Sequence, residues 1–362
     1  MEKIATGRHG SADAAEMAAT AQVDAQNDAY AAAEGGRAGF LGTGHPGRVL
    51  QAARDMLLAR RLGVLALVLE TEGSTYAGTG SMALFAGDVQ VGWLSGGCLE
   101  PELARRAAQA EAAGRIEWIE IDTREDEDLL SGSALGCRGR LRIALLPLRC
   151  LAGVEVLFDG WLEGGATLHR AIGADGTASL RLRDEERVWH ASANALPWKA
   201  DTKRWRLPLP RPPEALLFGA GPETPMLLHQ LHELGWRTTL AERRARWRGL
   251  GAQAHRHVDS TPATALSSMP MCDAVLVMHH NFELDREALE SLADAAVPFV
   301  GLLGPQRRRD DLFKLMTPVQ RAALMPRLRS PVGLDLGGKG PEAIALSIAA
   351  QLQAWRAQGA GA

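Results

Sequence analysis

Four cysteines stand in unequal surroundings in this 362-residue chain. Cys98 closes the turn Ser95-Gly96-Gly97-Cys98, just before Leu99-Glu100-Pro101 opens a helix. A helix start offers free N–H groups and the positive end of its dipole, and both favour the thiolate of a cysteine placed there. A thiolate can act as a nucleophile, a soft metal ligand or a sulfur carrier. Cys137 closes a second glycine-bearing loop, Ser131 to Gly136. If the two loops converge, both thiols flank one pocket; otherwise they are small core residues. Cys150 and Cys272 lack such a context and are expected to be structural. The stretch from Glu70 to Phe85 carries Ser74, Thr75 and several glycines, a composition that offers N–H and O–H groups to an anion or simply makes turns.

A second set lies further along. Gly219-Ala220-Gly221 follows an apolar run and precedes a helix, and Glu242 ends the next apolar run. That is the layout of a dinucleotide fingerprint, in which a phosphate sits on the turn and the carboxylate takes the ribose. The fingerprint is incomplete: Thr224 stands where a third glycine is needed, and Pro222 and Pro225 remove N–H donors. Gly219 and Gly221 therefore either hold a nucleotide or phosphate, or form a retained but empty turn. His279-His280 follows another apolar run, with Asn281, Glu283 and Asp285 close behind. Adjacent histidines point to different sides, so a metal site competes with an ordinary strand-end loop. Arg307, Arg308 and Arg309 could clamp a phosphate or form a solvated face.

Residues 1–44 are rich in Ala, Gly, Asp and Gln and read as a flexible extension. Over 45–150 the pattern is that of a compact α+β domain. Pro46 starts a helix carrying Val49, Leu50, Ala53, Met56 and Leu57 on one stripe, and Val64–Leu69 reads as a buried strand. Met82–Phe85 and Val89–Trp93 form a hairpin around Gly87-Asp88. Glu100–Ala113 is a helix stopped by Gly114, with strands at Ile116–Ile121 and Leu141–Leu146. Residues 151–213 read as a strand-rich bridging segment ending in a proline-rich linker. From 214 to 358, strand, turn and helix alternate, which implies a doubly wound parallel sheet of the Rossmann type. The fold class is thus α/β.

Composition excludes several classes. Hydrophobic residues make up 46% and charged residues 23%, the balance of an ordinary globular protein. A formal net charge of -3 gives no global basic field for nucleic acid or an anionic membrane. Scattered cysteines, the absence of an apolar run of roughly 18 residues and the polar first ten residues lead to the expectation of a cytoplasmic protein with reduced thiols.

Taken together, "ETEGSTYAGTGSMALF", "GWLSGGCLEPEL", "LGCRGRLRIALLPL", "LLFGAGPETPML", "VLVMHHNFELDREAL", "FVGLLGPQRRR" and "RSPVGLDLGGKGPEAIALSIAAQL" resemble the XdhC/CoxI family of xanthine dehydrogenase accessory proteins. They cover most of residues 60–352. The resemblance implies a chaperone, not a catalyst, that binds molybdenum cofactor (molybdopterin) and hands it to a molybdenum hydroxylase such as xanthine dehydrogenase. It implies a role in replacing an oxo ligand of molybdenum by sulfur, with a cysteine desulfurase as partner, and a homodimer. Carried over by position, the family's Gly-Gly-Cys cysteine is Cys98, here also the candidate metal ligand, and its Gly-Ala-Gly turn is Gly219 to Gly221. Ser74, Thr75, Gly96, Gly97 and Cys98 would take one end of the cofactor. Gly219, Gly221 and the arginines from Arg307 would take the other, in a cleft between the domains, with Cys137, Glu242 and His280 nearby. The chain departs from the pattern at Arg138, which interrupts Cys-Gly-Gly, at His279, where a Thr-His pair is common, and at Ala241-Glu242, where the acidic pair is reduced. Two other classes stay open: an NAD(P)-dependent oxidoreductase, with Arg243-Arg244 taking a 2′-phosphate, and a ligand-free assembly scaffold.

Overall fold

The computed structural model describes residues 45–124, 138–199, 202–269 and 271–359. The expected extension 1–44 and Cys137 lie outside the described residues.

The first unit is built on an antiparallel sheet, order β3-β2-β1-β5-β4, from β1 (Val64–Gly73), β2 (Met82–Ala86), β3 (Val89–Val91), β4 (Glu117–Asp122) and β5 (Gly139–Pro147). Side chains of a strand alternate between faces, and β1 is buried on both. Val64, Ala66 and Val68 pack against Leu103, Ala107 and Ala110 of α2 (Glu100–Ala113). Leu65, Leu67 and Leu69 face the other way, onto α1 (Pro46–Leu58) and α3 (Glu155–Leu162). α1 buries Val49, Leu50, Ala53 and Met56, a three- and four-residue spacing that puts all four on one side. Each Leu so removed from water contributes roughly 1.5–3 kcal/mol. α2 ends where Gly114 turns left-handed at φ 65°, a conformation that costs glycine nothing.

The segment 151–213, expected to bridge, is part of this unit. After α3 it forms a second antiparallel sheet, order β8-β7-β6-β9, from β6 (Leu168–Gly173), β7 (Thr177–Leu182), β8 (Glu185–His190) and β9 (Arg204–Leu209). Leu168, Ile172, Leu180, Trp205 and Leu207 share one core with α1 and β1. Pro208 is accommodated because β9 is an edge strand.

The second unit is a six-stranded, all-parallel sheet, order β12-β11-β10-β13-β14-β15. Its strands are β10 (Glu214–Phe218), β11 (Arg237–Ala241), β12 (Arg256–Val258), β13 (Ala274–Val277), β14 (Phe299–Leu302) and β15 (Leu328–Arg329). One face packs on α4 (Thr224–Glu233) and the C-terminal α10 (Pro341–Gly359). The other packs on α6 (Pro262–Ser267), α7 (Phe282–Ala293), α8 (Gln306–Leu315) and α9 (Pro318–Leu324); a short α5 (Ala245–Arg248) follows β11. This is the doubly wound Rossmann arrangement. Among the described residues no helix is long and apolar enough to cross a membrane.

The units meet through α1 and α3. Arg48 pairs with Glu233 at 3.2 Å, and the Arg237 guanidinium donates to the carbonyl of Leu162.

Candidate functional site

Cys98 is exposed and held by a short chain of hydrogen bonds. Glu100, at the first turn of α2, is only 2% exposed. Its carboxylate accepts from the backbone N–H of Leu94 (3.0 Å), from that of Ser95 (2.8 Å) and from the Ser95 hydroxyl. Ser95 Oγ in turn accepts from the N–H of Gly97 (3.1 Å) and Leu99 (3.0 Å), the two residues that flank Cys98. Gly97 has φ 104°, a conformation a side chain would strain. The thiol is thus presented by a turn fixed from below.

Ser74, Thr75 and Cys98 come together around a hollow of about 20 Å³, which Gly139 and Thr123 also border. That is room for about one water. Gly139 must be glycine here, because a Cβ would strike the backbone of Ser74 and the side chain of Thr75. The loop that supplies Ser74 and Thr75 is tied from the second sheet by the buried Arg170. It donates to the carbonyls of Gly80 (3.0 Å) and Leu207 (2.9 Å), and burial lowers its pKa to about 10. Gly96 is exposed beside Cys98.

The carboxyl ends of β10, β11 and β13 carry the second set. The N–H groups of the glycine turn are already bonded: Gly219 to the Ala241 carbonyl (3.0 Å), Ala220 to Glu242 Oε2 (2.8 Å), Gly221 to Thr224 Oγ1 (2.9 Å). Glu242 is 0% exposed and receives the folded-in Arg244, whose guanidinium also donates to the carbonyls of His279 (2.6 Å) and Ala220 (2.8 Å). Burial alone would raise the Glu242 pKa; the bonds from Arg244 outweigh it and hold the carboxyl below its usual range. Arg244 thereby occupies the carboxylate that a dinucleotide fingerprint leaves for a ribose. The buried Glu223 sets a carboxylate against Gly221, where a phosphate would sit, and meets His280 Nε2 at 3.1 Å. That bond holds the His280 pKa above its ordinary value, and His280 itself is strained at φ 55°. A hollow of about 370 Å³ opens here, with Trp247 and Ile344 on its walls.

The two histidines do take different partners: His279 Nδ1 meets the buried Asp285 at 3.1 Å. The arginine run splits three ways. Arg307 is 93% exposed beside Asp311, Arg308 pairs with Asp285 at 2.7 Å, and Arg309 pairs with Asp310. Arg243 pairs with Glu287. Among the described residues no group of three or more His, Cys, Asp or Glu side chains is arranged to hold a metal ion. Cys272 is buried, and burial pushes its thiol up to about 12.

The structure does not bring the Cys98 set and the Gly219 set together. α2 covers the face of the first sheet opposite to α1 and α3, which carry the contact with the Rossmann unit. Sequence reading missed Glu100, Glu223 and Arg170. A charged residue inside a helix or strand pattern reads as solvated unless its partners are known. A glutamate one turn into a helix that follows a Gly-Gly turn is the only hint that Glu100 reaches back.

Comparison with known proteins agrees with both units. A family described as "XdhC Rossmann domain" matches residues 215–352, and one described as "XdhC and CoxI family" matches residues 56–122. A Bacillus subtilis protein described as a probable xanthine dehydrogenase component is 26% identical over 311 residues, 80% of this chain and 92% of its own. The crystal structure of a xanthine dehydrogenase from Bacillus halodurans is 27% identical, covers 85% of this chain and 96% of its own, and superposes with a TM-score of 0.70. With an N-terminal unit and a Rossmann unit that each match, the chain belongs to the XdhC and CoxI family.

Proposed function

We propose that the protein is an accessory factor for a xanthine dehydrogenase-type molybdenum hydroxylase, and that it carries molybdenum cofactor as cargo to that enzyme. The carrying observation is Cys98: an exposed thiol on a turn locked by Ser95 and Glu100, beside the hydroxyls of Ser74 and Thr75. A soft ligand in a rigid, open setting suits the metal end of the cofactor. The hollow beneath holds about one water, so the cargo is met from the outer side and its body lies over the turn. The bonded glycine turn and the Arg244 plug speak against the oxidoreductase reading, because a dinucleotide would have to displace both. In this reading a cysteine desulfurase supplies sulfur to the bound cargo, and the working species is a homodimer.

The test is molybdenum and pterin content after mixing purified protein with molybdenum cofactor and gel filtration, wild type beside Cys98→Ala. Roughly one cofactor per chain on the wild type, lost in the variant, is expected. Equal retention by both removes the thiol from this account; retention by neither removes the cargo.

A further inference from the structure

The sheet of the Rossmann unit reverses its strand order at β10, which has β11 on one side and β13 on the other. Open parallel sheets take their ligands in the crevice outside the carboxyl ends of the strands at such a switch point. The hollow of about 370 Å³ lies there, between the turns that follow β10 and β13 and the start of α10. Its volume is that of a small-molecule site, typically about 300–1,000 Å³. The phosphate and ribose positions of a dinucleotide are filled by the chain itself, yet this space stays open.

Pro222, Trp247, Pro341 and Ile344 make its walls largely apolar. The Arg246 guanidinium lies over the Trp247 ring at 4.9 Å and fixes the plane of that ring. Glu223 and His280 supply the polar part. Glu223 is 2% exposed, and the little surface it keeps borders the hollow. Its Oε1 meets His280 Nε2, while Oε2 takes no hydrogen bond among the described residues. A carboxylate only accepts, so Oε2 calls for a donor. The His280 side chain is 50% exposed, and its Nδ1 has no hydrogen-bond partner among the described residues. The bond to Glu223 favours the protonated ring, in which Nδ1 donates.

Charge narrows the choice. An anion would face the Glu223 carboxylate and glycine-turn N–H groups that are already bonded. A cation would face His280 and Arg244. A neutral ligand meets neither obstacle, and it must offer a donor to Glu223 beside an acceptor for His280. A cyclic amide carries N–H and C=O next to each other on a flat ring. We infer that this hollow binds a neutral planar heterocycle of nucleobase size through a cyclic amide edge. The amide N–H donates to Glu223, its carbonyl accepts from His280, and the ring lies against Trp247 and Ile344. The site is separate from the Cys98 turn and does not rest on the cargo reading.

Isothermal titration of the full-length chain with hypoxanthine and, separately, with uracil tests this, beside adenine, whose ring has no amide. Saturable binding of at least one amide compound is expected at micromolar to millimolar concentration. It is expected to be at least tenfold weaker for adenine, at least tenfold weaker in Glu223→Gln and in Trp247→Ala, and unchanged in Cys98→Ala. Circular dichroism confirms the fold of each variant; if Glu223→Gln does not fold, His280→Asn decides, with the same loss expected. Tighter binding of hypoxanthine supports a two-ring ligand, and tighter binding of uracil supports a one-ring ligand. No saturable binding of either amide compound, adenine bound as tightly, or binding unaltered in the folded variants overturns the inference.

Discussion

Glu100→Ala removes the acceptor on which the Cys98 turn rests. Two backbone N–H groups, of Leu94 and Ser95, and one hydroxyl lose their partner together. Leu94 is 0% exposed and Ser95 3%, so water does not readily replace the carboxylate. At roughly 1–3 kcal/mol for each unsatisfied buried group, and with part of the loss relaxed by local movement, the cost is about 3 kcal/mol. Glu100→Gln keeps one acceptor oxygen and is expected to cost about half as much. The damage has a place as well as a size. Ser95 Oγ loses its orienting bond, so the N–H groups of Gly97 and Leu99 lose theirs. Opening there becomes easier by about 3 kcal/mol, roughly a hundredfold. Urea unfolding followed by circular dichroism reads the first quantity, and hydrogen exchange of the peptide spanning 93–103 reads the second. A Glu100→Ala protein that loses less than about 0.5 kcal/mol and exchanges at the wild-type rate would refute the reasoning.

Arg244→Ala strands the carboxylate of Glu242 and two carbonyls; a loss of about 3 kcal/mol is expected by thermal denaturation, and adding Glu242→Gln is expected to cost much less than the sum of the singles. His45 and His232 bind protons less readily folded, at about 4, than unfolded, at about 6.5. The unfolded chain therefore takes up more protons between those values, and stability is expected to fall as pH drops from 6.5 towards 4; His232→Gln flattens that slope in urea titrations at several pH values. Native iodoacetamide is expected to alkylate Cys98 and to reach Cys272 only after unfolding, which peptide mass spectrometry resolves.

Much of the scaffold was legible because its signals are local. Pro46 and the stripe from Val49 to Met56, the apolar Val64–Leu69, and Gly114 in its left-handed cap each act within a few residues of themselves. The alternation after Pro213 needs only strand and helix periods to imply a parallel sheet. Residues 168–209 were harder. β8 shows half-buried and exposed residues alone, and Pro208 sits inside β9, so the segment reads as a bridge until its shared core with α1 is seen. The site was legible in its nouns and not in its bonds. Ser74, Thr75 and Cys98 do lie side by side. That Glu100 turns back, that Glu223 fills the glycine turn, and that Arg244 folds inward across 24 residues to Ala220 are choices of partner, and spacing carries no partner.

The closed glycine turn has a consequence for how this protein comes into being. A dinucleotide domain ordinarily leaves its turn and its acidic strand end waiting for a coenzyme, and gains stability when the coenzyme arrives. Here Thr224, Glu242 and Arg244 already occupy those positions. The domain is its own ligand. Folding of this domain is therefore expected to draw on no supply of nucleotide, so cells starved of coenzyme are expected to accumulate the folded chain at full yield.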